Sequence, residues 1–240
     1  MKHSGQQQLP LPVQLNDDAT FDNFLRHGAN DTLVHALMLQ AEGAGESMIF
    51  LSGGAGTGKS HLLQASCHHI GGDAIYLPLR ELAYYRPEEI FQGIETLKLI
   101  CLDDVEQVLQ KQDWELALFN LHNRAREHGS RLLIAGSCAP RMLAIDLPDL
   151  RSRLAWSVVF QLIDPSDTIK EAILKFRANR RGLELGDEVC RYIVTHTSRD
   201  LSALLALLEK LDHVSLSQQR GLSIPMVKAI LSDGAGSGLD

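Results

Sequence analysis

Gly53, Gly54, Ala55, Gly56, Thr57, Gly58, Lys59 and Ser60 follow one another without a break, and they fit the pattern G-x-x-x-x-G-K-[ST] at every position. Such a run is built to hold phosphate. Glycines let the backbone curl until several N–H groups converge on one anion, and a following helix adds its positive end. In that chemistry Lys59 reaches the β- and γ-phosphates, Ser60 ligates Mg²⁺, and His61 stands next in the same site. The competing reading is a Gly-rich turn that binds nothing. The apolar run Met48–Leu51 before the motif and a helical stretch from Lys59 to Ile70 after it favour a nucleoside phosphate site.

Three further segments carry residue types suited to phosphoryl chemistry. Leu97–Leu102 is an apolar run that ends in Asp103 and Asp104. A carboxylate at the tip of a strand beside a phosphate loop is where Mg²⁺ and an attacking water are organised. This makes Asp103 the Mg²⁺ partner and Asp104 the candidate for polarising water. Leu132–Gly136 is a second apolar run, closed by Ser137, which fits either a polar sensor near the γ-phosphate or an ordinary strand-to-loop turn. After Pro148, Arg151 and Arg153 offer guanidinium groups, which bridge phosphate oxygens with two parallel bonds as lysine cannot. Arg199 opens a leucine-striped stretch, where a cation is disfavoured by the helix dipole and so has another reason to be there.

The elements that must position these residues alternate between strand and helix as far as Asp164. Expected strands are Met48–Leu51, Ala74–Pro78, Leu97–Leu102, Leu132–Gly136 and Ser157–Leu162. Helices are expected near Asp31–Glu42, Lys59–Ile70, Pro87–Gly93, Trp114–His128 and Pro148–Leu154. This is the signature of an α/β domain with a parallel sheet. Beyond Asp164 the pattern turns helical, with Leu201, Leu204, Leu205, Leu208 and Leu211 at core spacing. The expected organisation is a flexible tail over 1–19, a nucleotide domain over 20–164, a helical lid over 165–233 and a flexible end over 234–240.

Composition narrows the class. The 240 residues are 45% hydrophobic and 22% charged, with a net charge of −7, ordinary values for a water-soluble protein. The acidic balance disfavours a protein that mainly grips duplex DNA. A basic stretch at Lys175, Arg177, Arg180 and Arg181 reads as the solvated face of an amphipathic helix. No apolar run is long enough to span a bilayer and the N-terminus has no apolar leader, so a cytoplasmic location without membrane contact is expected. Four scattered cysteines suggest no disulfide framework, and His61, His68 and His69 share a helix without metal-ligand spacing.

Taken together, the phosphate loop, the acidic strand end, Arg153 and Arg199 resemble the AAA+ ATPase superfamily. The resemblance makes Arg153 an arginine finger and Arg199 the second sensor of the lid. Thr20–Phe24, with Gly28 and Asn30, resembles the segment that opens the nucleotide domain of the DnaA initiator family, which implies that Phe24 lies close to the base. The double Asp103-Asp104 is also the form found in that branch. Gln8, Leu9, Pro10, Leu11 and Pro12 resemble the short peptide that docks on the DNA polymerase III β sliding clamp. Two apolar side chains suit a pocket, the glutamine suits its rim, and the prolines hold an extended shape. With the chain ending after the lid, the likeness is to the Hda family, which acts in the regulatory inactivation of DnaA. It implies bound ADP or ATP with Mg²⁺, docking on the DNA-loaded clamp, and Arg153 acting in trans on the ATP held by DnaA. Own turnover is expected to be weak, and a homo-dimer is expected by analogy. Ser137 departs from the acidic or amide residue common in this branch. A self-sufficient ATPase similar to the DnaC helicase loaders, and a nucleotide-gated DNA-binding module, are the rival readings.

Overall fold

The computed structural model describes residues 15–198, 200–218 and 221–235. Five strands form one parallel sheet: β1 (Met48–Ser52), β2 (Ala74–Pro78), β3 (Leu99–Asp103), β4 (Arg131–Gly136) and β5 (Val158–Gln161), in the order β2-β3-β4-β1-β5. Central strands β1 and β3 are buried at every position, as continuous apolar sequence demands when helices cover both faces. Alternate side chains then feed two cores. Ile49, Leu51, Leu133 and Ala135 pack under helices α1 (Ala29–Ala41) and α2 (Lys59–Ile70). Phe50, Leu102 and Ile134 pack on the opposite face. There they meet α3 (Leu79–Leu82), α4 (Pro87–Ile90), α5 (Gln112–His128) and α6 (Pro148–Leu154).

A separate core holds the C-terminal helices α7 (Asp167–Arg180), α8 (Asp187–His196), α9 (Leu201–Gln218) and α10 (Ile224–Ala235). Leu204, Leu208 and Leu211 are fully buried there, so the leucine stripe is core as its spacing required. The α/β domain followed by a helical lid matches the expected fold class.

Differences lie at ends and in short pieces. The helix α9 begins at Leu201, behind an Asp200 carboxylate that accepts the Ser202 N–H at 2.7 Å, and not at Ser198. The helix α10 runs through Gly234 to Ala235, past the boundary drawn at 233. A four-residue helix such as α3 carries too little periodicity to be read in advance. Within the stretch expected as a flexible tail, two described residues are held in place. Asn16 donates its N–H to Gln64 Oε1 at 2.8 Å, and Ala19 is buried.

Candidate functional site

The phosphate loop links the end of β1 to the start of α2, and its glycines are demanded by contact. A Cβ on Gly53 would stand 2.5 Å from the Leu162 carbonyl oxygen, and the Gly53 N–H donates to Gly136 O at 3.2 Å. Gly58 has φ +94°, and a Cβ there would stand 3.1 Å from the Phe24 ring. Gly54 and Ala55 form the exposed crest of the loop. Thr57 donates its hydroxyl to Gly54 O at 2.9 Å, closing the turn. Lys59 is only 7% exposed and donates from Nζ to the carbonyls of Gly53 and Gly54, at 2.7 Å each. Its charge is held over the mouth of the loop and is met only by carbonyl dipoles, which leaves it available to a phosphate.

Asp103 ends β3 beside this loop and is 2% exposed. Its carboxylate accepts the Tyr76 hydroxyl at 2.8 Å and the Asp104 N–H at 3.0 Å, with the Ser60 hydroxyl as a further donor. Burial pushes the Asp103 carboxyl above the usual range in spite of these donors, and the Asp104 charge adds to the push. Burial and the same carboxylate push the Tyr76 phenol up. A desolvated carboxylate with a hydroxyl beside it gains from a divalent cation, so Ser60 and Asp103 fit Mg²⁺.

Asp104 itself turns outward. It has φ +52°, and its carboxylate accepts Arg80 Nε at 3.0 Å. The acid at the tip of β4 is instead Glu106, whose Oε2 accepts the Ser137 N–H at 3.2 Å. Sequence reading missed Glu106. It lies 31 positions from its partner, and no local pattern joins them.

A cleft of about 420 Å³ opens beside the loop. Its apolar wall comes from Leu162, Ile163, Ile169, Ile173, Leu201 and Leu205, and its floor from Phe24 and His61. The Phe24 and His61 rings lie 5.7 Å apart, tilted by 35°. His61 donates from Nε2 to the Thr20 carbonyl at 2.9 Å, and burial pushes its pKa down to about 4, so the ring is a neutral wall at physiological pH. Both residues therefore suit the flat face of a base.

The lid closes this cleft. Asp200 Oδ1 lies 3.0 Å from where a Gly56 Cβ would stand. On the opposite wall, Arg177 donates to the Asp18 and Asn23 carbonyls at 3.3 and 3.2 Å and to the Asp18 carboxylate at 3.2 Å. Arg181 reaches the same carboxylate, and Arg180 donates to Asn23 Oδ1 at 3.1 Å. Of the basic stretch read as a solvated face, Arg177 and Arg181 are thus covered, while Lys175 and Arg180 stay at the surface. The Arg177 and Arg181 side chains are 11% and 21% exposed, because the segment before α1 supplies an acid that sequence periodicity does not register.

Residues 167–231 match the family model for the Hda lid domain. The whole fold is similar to domain III of the replication initiation protein DnaA of Thermotoga maritima. The TM-score is 0.76 at 23% identity, covering 92% of this chain and 98% of that one. Its likeness to AMPPCP-bound DnaA from Aquifex aeolicus has a TM-score of 0.69 at 24% identity, over 82% of this chain and 66% of that one. The chain thus has the fold of the DnaA AAA+ domain, and over 167–231 it matches the Hda lid. The RuvB branch migration motor of Thermotoga maritima shares the fold more distantly, with a TM-score of 0.66 at 14% identity over 89% of this chain and 71% of that one.

In this AAA+ fold the phosphate loop, Asp103, Ser137, Phe24 and His61 gather at the carboxyl ends of the strands. Arg153 does not join them. It sits in the last turn of α6, stacked on Trp156 with its guanidinium carbon 5.0 Å from the ring centroid. The start of α6 is pinned by Glu115, a buried acid on α5 that accepts the N–H groups of Gln110, Asp146 and Leu147 at 2.9, 3.1 and 2.6 Å. Pro148 then opens the helix at a position where no N–H is needed. Arg199 and the segment Gln8, Leu9, Pro10, Leu11, Pro12 lie outside the described residues. Among the described residues no helix is long and apolar enough to cross a membrane.

Proposed function

We propose that this chain is an adenine-nucleotide-bound regulator of replication initiation that acts on DnaA. Gly53–Gly58 and Lys59 hold the phosphates, Ser60 and Asp103 hold Mg²⁺, and Phe24 with His61 receives the base. When bound, the metal offsets charge on the phosphates and fixes their orientation. Arg199 reports the nucleotide state to the lid, and Ser137 faces the γ-phosphate end. Gln8–Pro12 tethers the protein to the DNA polymerase III β sliding clamp, which brings it to DNA indirectly. Arg153 then enters the site of a DnaA subunit and stabilises the charge that develops as the γ-phosphoryl group leaves. A homo-dimer is the expected resting form, since AAA+ sites form between subunits.

The observation that carries this reading is the placement of Arg153. It stands apart from the nucleotide site of its own chain, in the last turn of α6, with its guanidinium uncommitted to any carboxylate among the described residues. An arginine so placed serves a neighbour. A self-sufficient ATPase of the DnaC type is favoured by one observation, the assembly of Lys59, Ser60 and Asp103 within one chain.

The deciding assay loads DnaA with labelled ATP, adds DNA-bearing clamp and this protein with ADP, and follows labelled ADP on DnaA. Stimulation is expected, with loss of about 10²-fold or more in Arg153→Ala and similar loss in Gln8→Ala/Leu9→Ala. Undiminished stimulation by Arg153→Ala sinks the trans-acting role. Rapid ATP turnover by this protein alone selects the helicase-loader reading.

A further inference from the structure

Trp156 is an exposed indole for which the folded core has no use. It is 71% exposed and belongs to none of the three hydrophobic clusters. It is nevertheless fixed in place. The Trp156 N–H donates to Arg153 O at 3.1 Å, while the Ser157 N–H and hydroxyl both donate to Leu154 O, at 3.2 and 2.7 Å. These bonds close the end of α6 into a tight turn and bring residues 153 and 156 onto one face.

The guanidinium of Arg153 rests on that face and, among the described residues, has no hydrogen-bond or ion-pair partner. Two positions earlier, Arg151 spends its guanidinium on the Ile145 carbonyl. Behind the stack lies His122, with a buried Nδ1 that has no partner. Burial holds that ring below its usual range, and the charges of Arg153 and Arg126 add to the effect. An unsupported arginine at an exposed helix end scatters over many rotamers, and ordering it costs entropy when a ligand arrives. An indole beneath it keeps the fork flat while leaving its N–H edges open to phosphate oxygens.

We propose that Trp156 is a positioning residue for Arg153, stacking its guanidinium in advance for the terminal phosphate of a nucleotide held by a second AAA+ subunit. The proposal rests on the reading in which Arg153 acts in trans. It predicts that the π face, and not merely bulk or apolarity, sets the rate of the stimulated step.

The test uses the full chain and the variants Trp156→Phe, Trp156→Leu and Arg153→Ala, with two readouts. In ¹⁵N-labelled protein, Arg153→Ala shifts the Trp156 indole N–H signal and leaves that of the buried Trp114 in place. In the DnaA hydrolysis assay, Trp156→Leu lowers the maximal stimulated rate by about three- to ten-fold, the size expected of a lost exposed cation–π contact plus its ordering. The half-saturating concentration stays within about two-fold, Trp156→Phe recovers at least half of the rate because it keeps a π face, and Trp156→Leu costs nothing more in the Arg153→Ala background. An unmoved indole signal, a loss confined to half-saturation, or an added loss in the double variant overturns the proposal. Loss in Arg153→Ala with full activity in Trp156→Leu removes the role of Trp156 alone. Full activity in Arg153→Ala removes the trans-acting reading, and this proposal with it.

Discussion

At Asp103 the needs of folding and of the proposed metal site pull in opposite directions. The carboxylate is buried at the end of β3, and donors from Tyr76, Ser60 and the Asp104 N–H do not fully repay its desolvation. A carboxyl held above its unfolded value destabilises the folded chain at neutral pH, and that penalty fades as the group protonates. Removing the charge therefore stabilises the nucleotide-free protein. Relief of about 1 kcal/mol raises Tm by roughly 2–4 °C in a chain of this size. Asp103→Asn is thus expected to melt higher by about that amount in calorimetry without nucleotide. The same variant loses at least about ten-fold in Mg²⁺-dependent nucleotide affinity, since Ser60 alone is a poor ligand for a hard cation. A variant that melts lower and binds normally would place Asp103 outside the metal site. The shape of the loop before Lys59 and Ser60 was legible from consecutive residues alone, because such a loop writes its backbone needs into Gly53 and Gly58. Glu106 was not legible, because its place at the tip of β4 depends on a contact made only after the sheet has assembled.

At the scale of elements, the cleft is shaped by how α7 holds the segment before α1. The Arg177 and Arg181 guanidinium groups converge on the Asp18 carboxylate, and they hold it below the usual carboxylate range. Arg177 is the more buried, so deleting its acid leaves a desolvated cation with only carbonyl partners. The Asp18→Asn variant is expected to lose about 1 kcal/mol in urea unfolding, a value discounted for the exposure of Asp18 itself. Nucleotide affinity falls a few-fold in the same variant, because Phe24 belongs to the segment that Asp18 ties down and the Thr20 carbonyl of that segment holds His61. Limited proteolysis between 162 and 167 quickens if the strap is what keeps the lid seated. Unchanged cleavage and affinity would reduce the cluster to a surface ion pair. The strap was invisible in the sequence for a physical reason. Periodicity reports which face of a helix is polar, not whether an acid 159 positions away will cover it. The strand segments and the leucine stripe were visible, because burial on both faces of a parallel sheet forces apolar runs, and burial on one face of α9 forces spacing.

For the whole molecule, pH reads how the N-terminal segment, the phosphate-loop helix and the lid are joined around His61. That ring meets Phe24 and the Thr20 carbonyl from the N-terminal segment, Asp18 and Arg177 by charge, and His68 from its own helix. Burial dominates and sets its folded value at about 4, against 6.5 when unfolded. Above pH 6.5 the ring is neutral in both states, and stability does not depend on it. Between pH 6.5 and 4 the unfolded chain takes up a proton that the folded chain refuses, so stability falls as pH falls; below about 4 both states are charged. A ceiling of roughly 3 to 4 kcal/mol follows from such a separation. Asp103 acts with the opposite sign, gaining stability on protonation, while Asp18 acts in the same direction as His61 but only near and below the usual carboxylate range. A comparison of wild type with His61→Gln therefore isolates the histidine, since glutamine still donates to Thr20 O. Urea unfolding at pH 7.5 is expected to place the variant slightly below wild type, through lost contact with Phe24. At pH 5.0 the gap closes or reverses, because wild type alone has lost the His61 contribution. Parallel pH profiles for the two proteins would mean that the segment opens in solution and leaves His61 exposed to water, and the cleft would then have to be closed by the nucleotide itself.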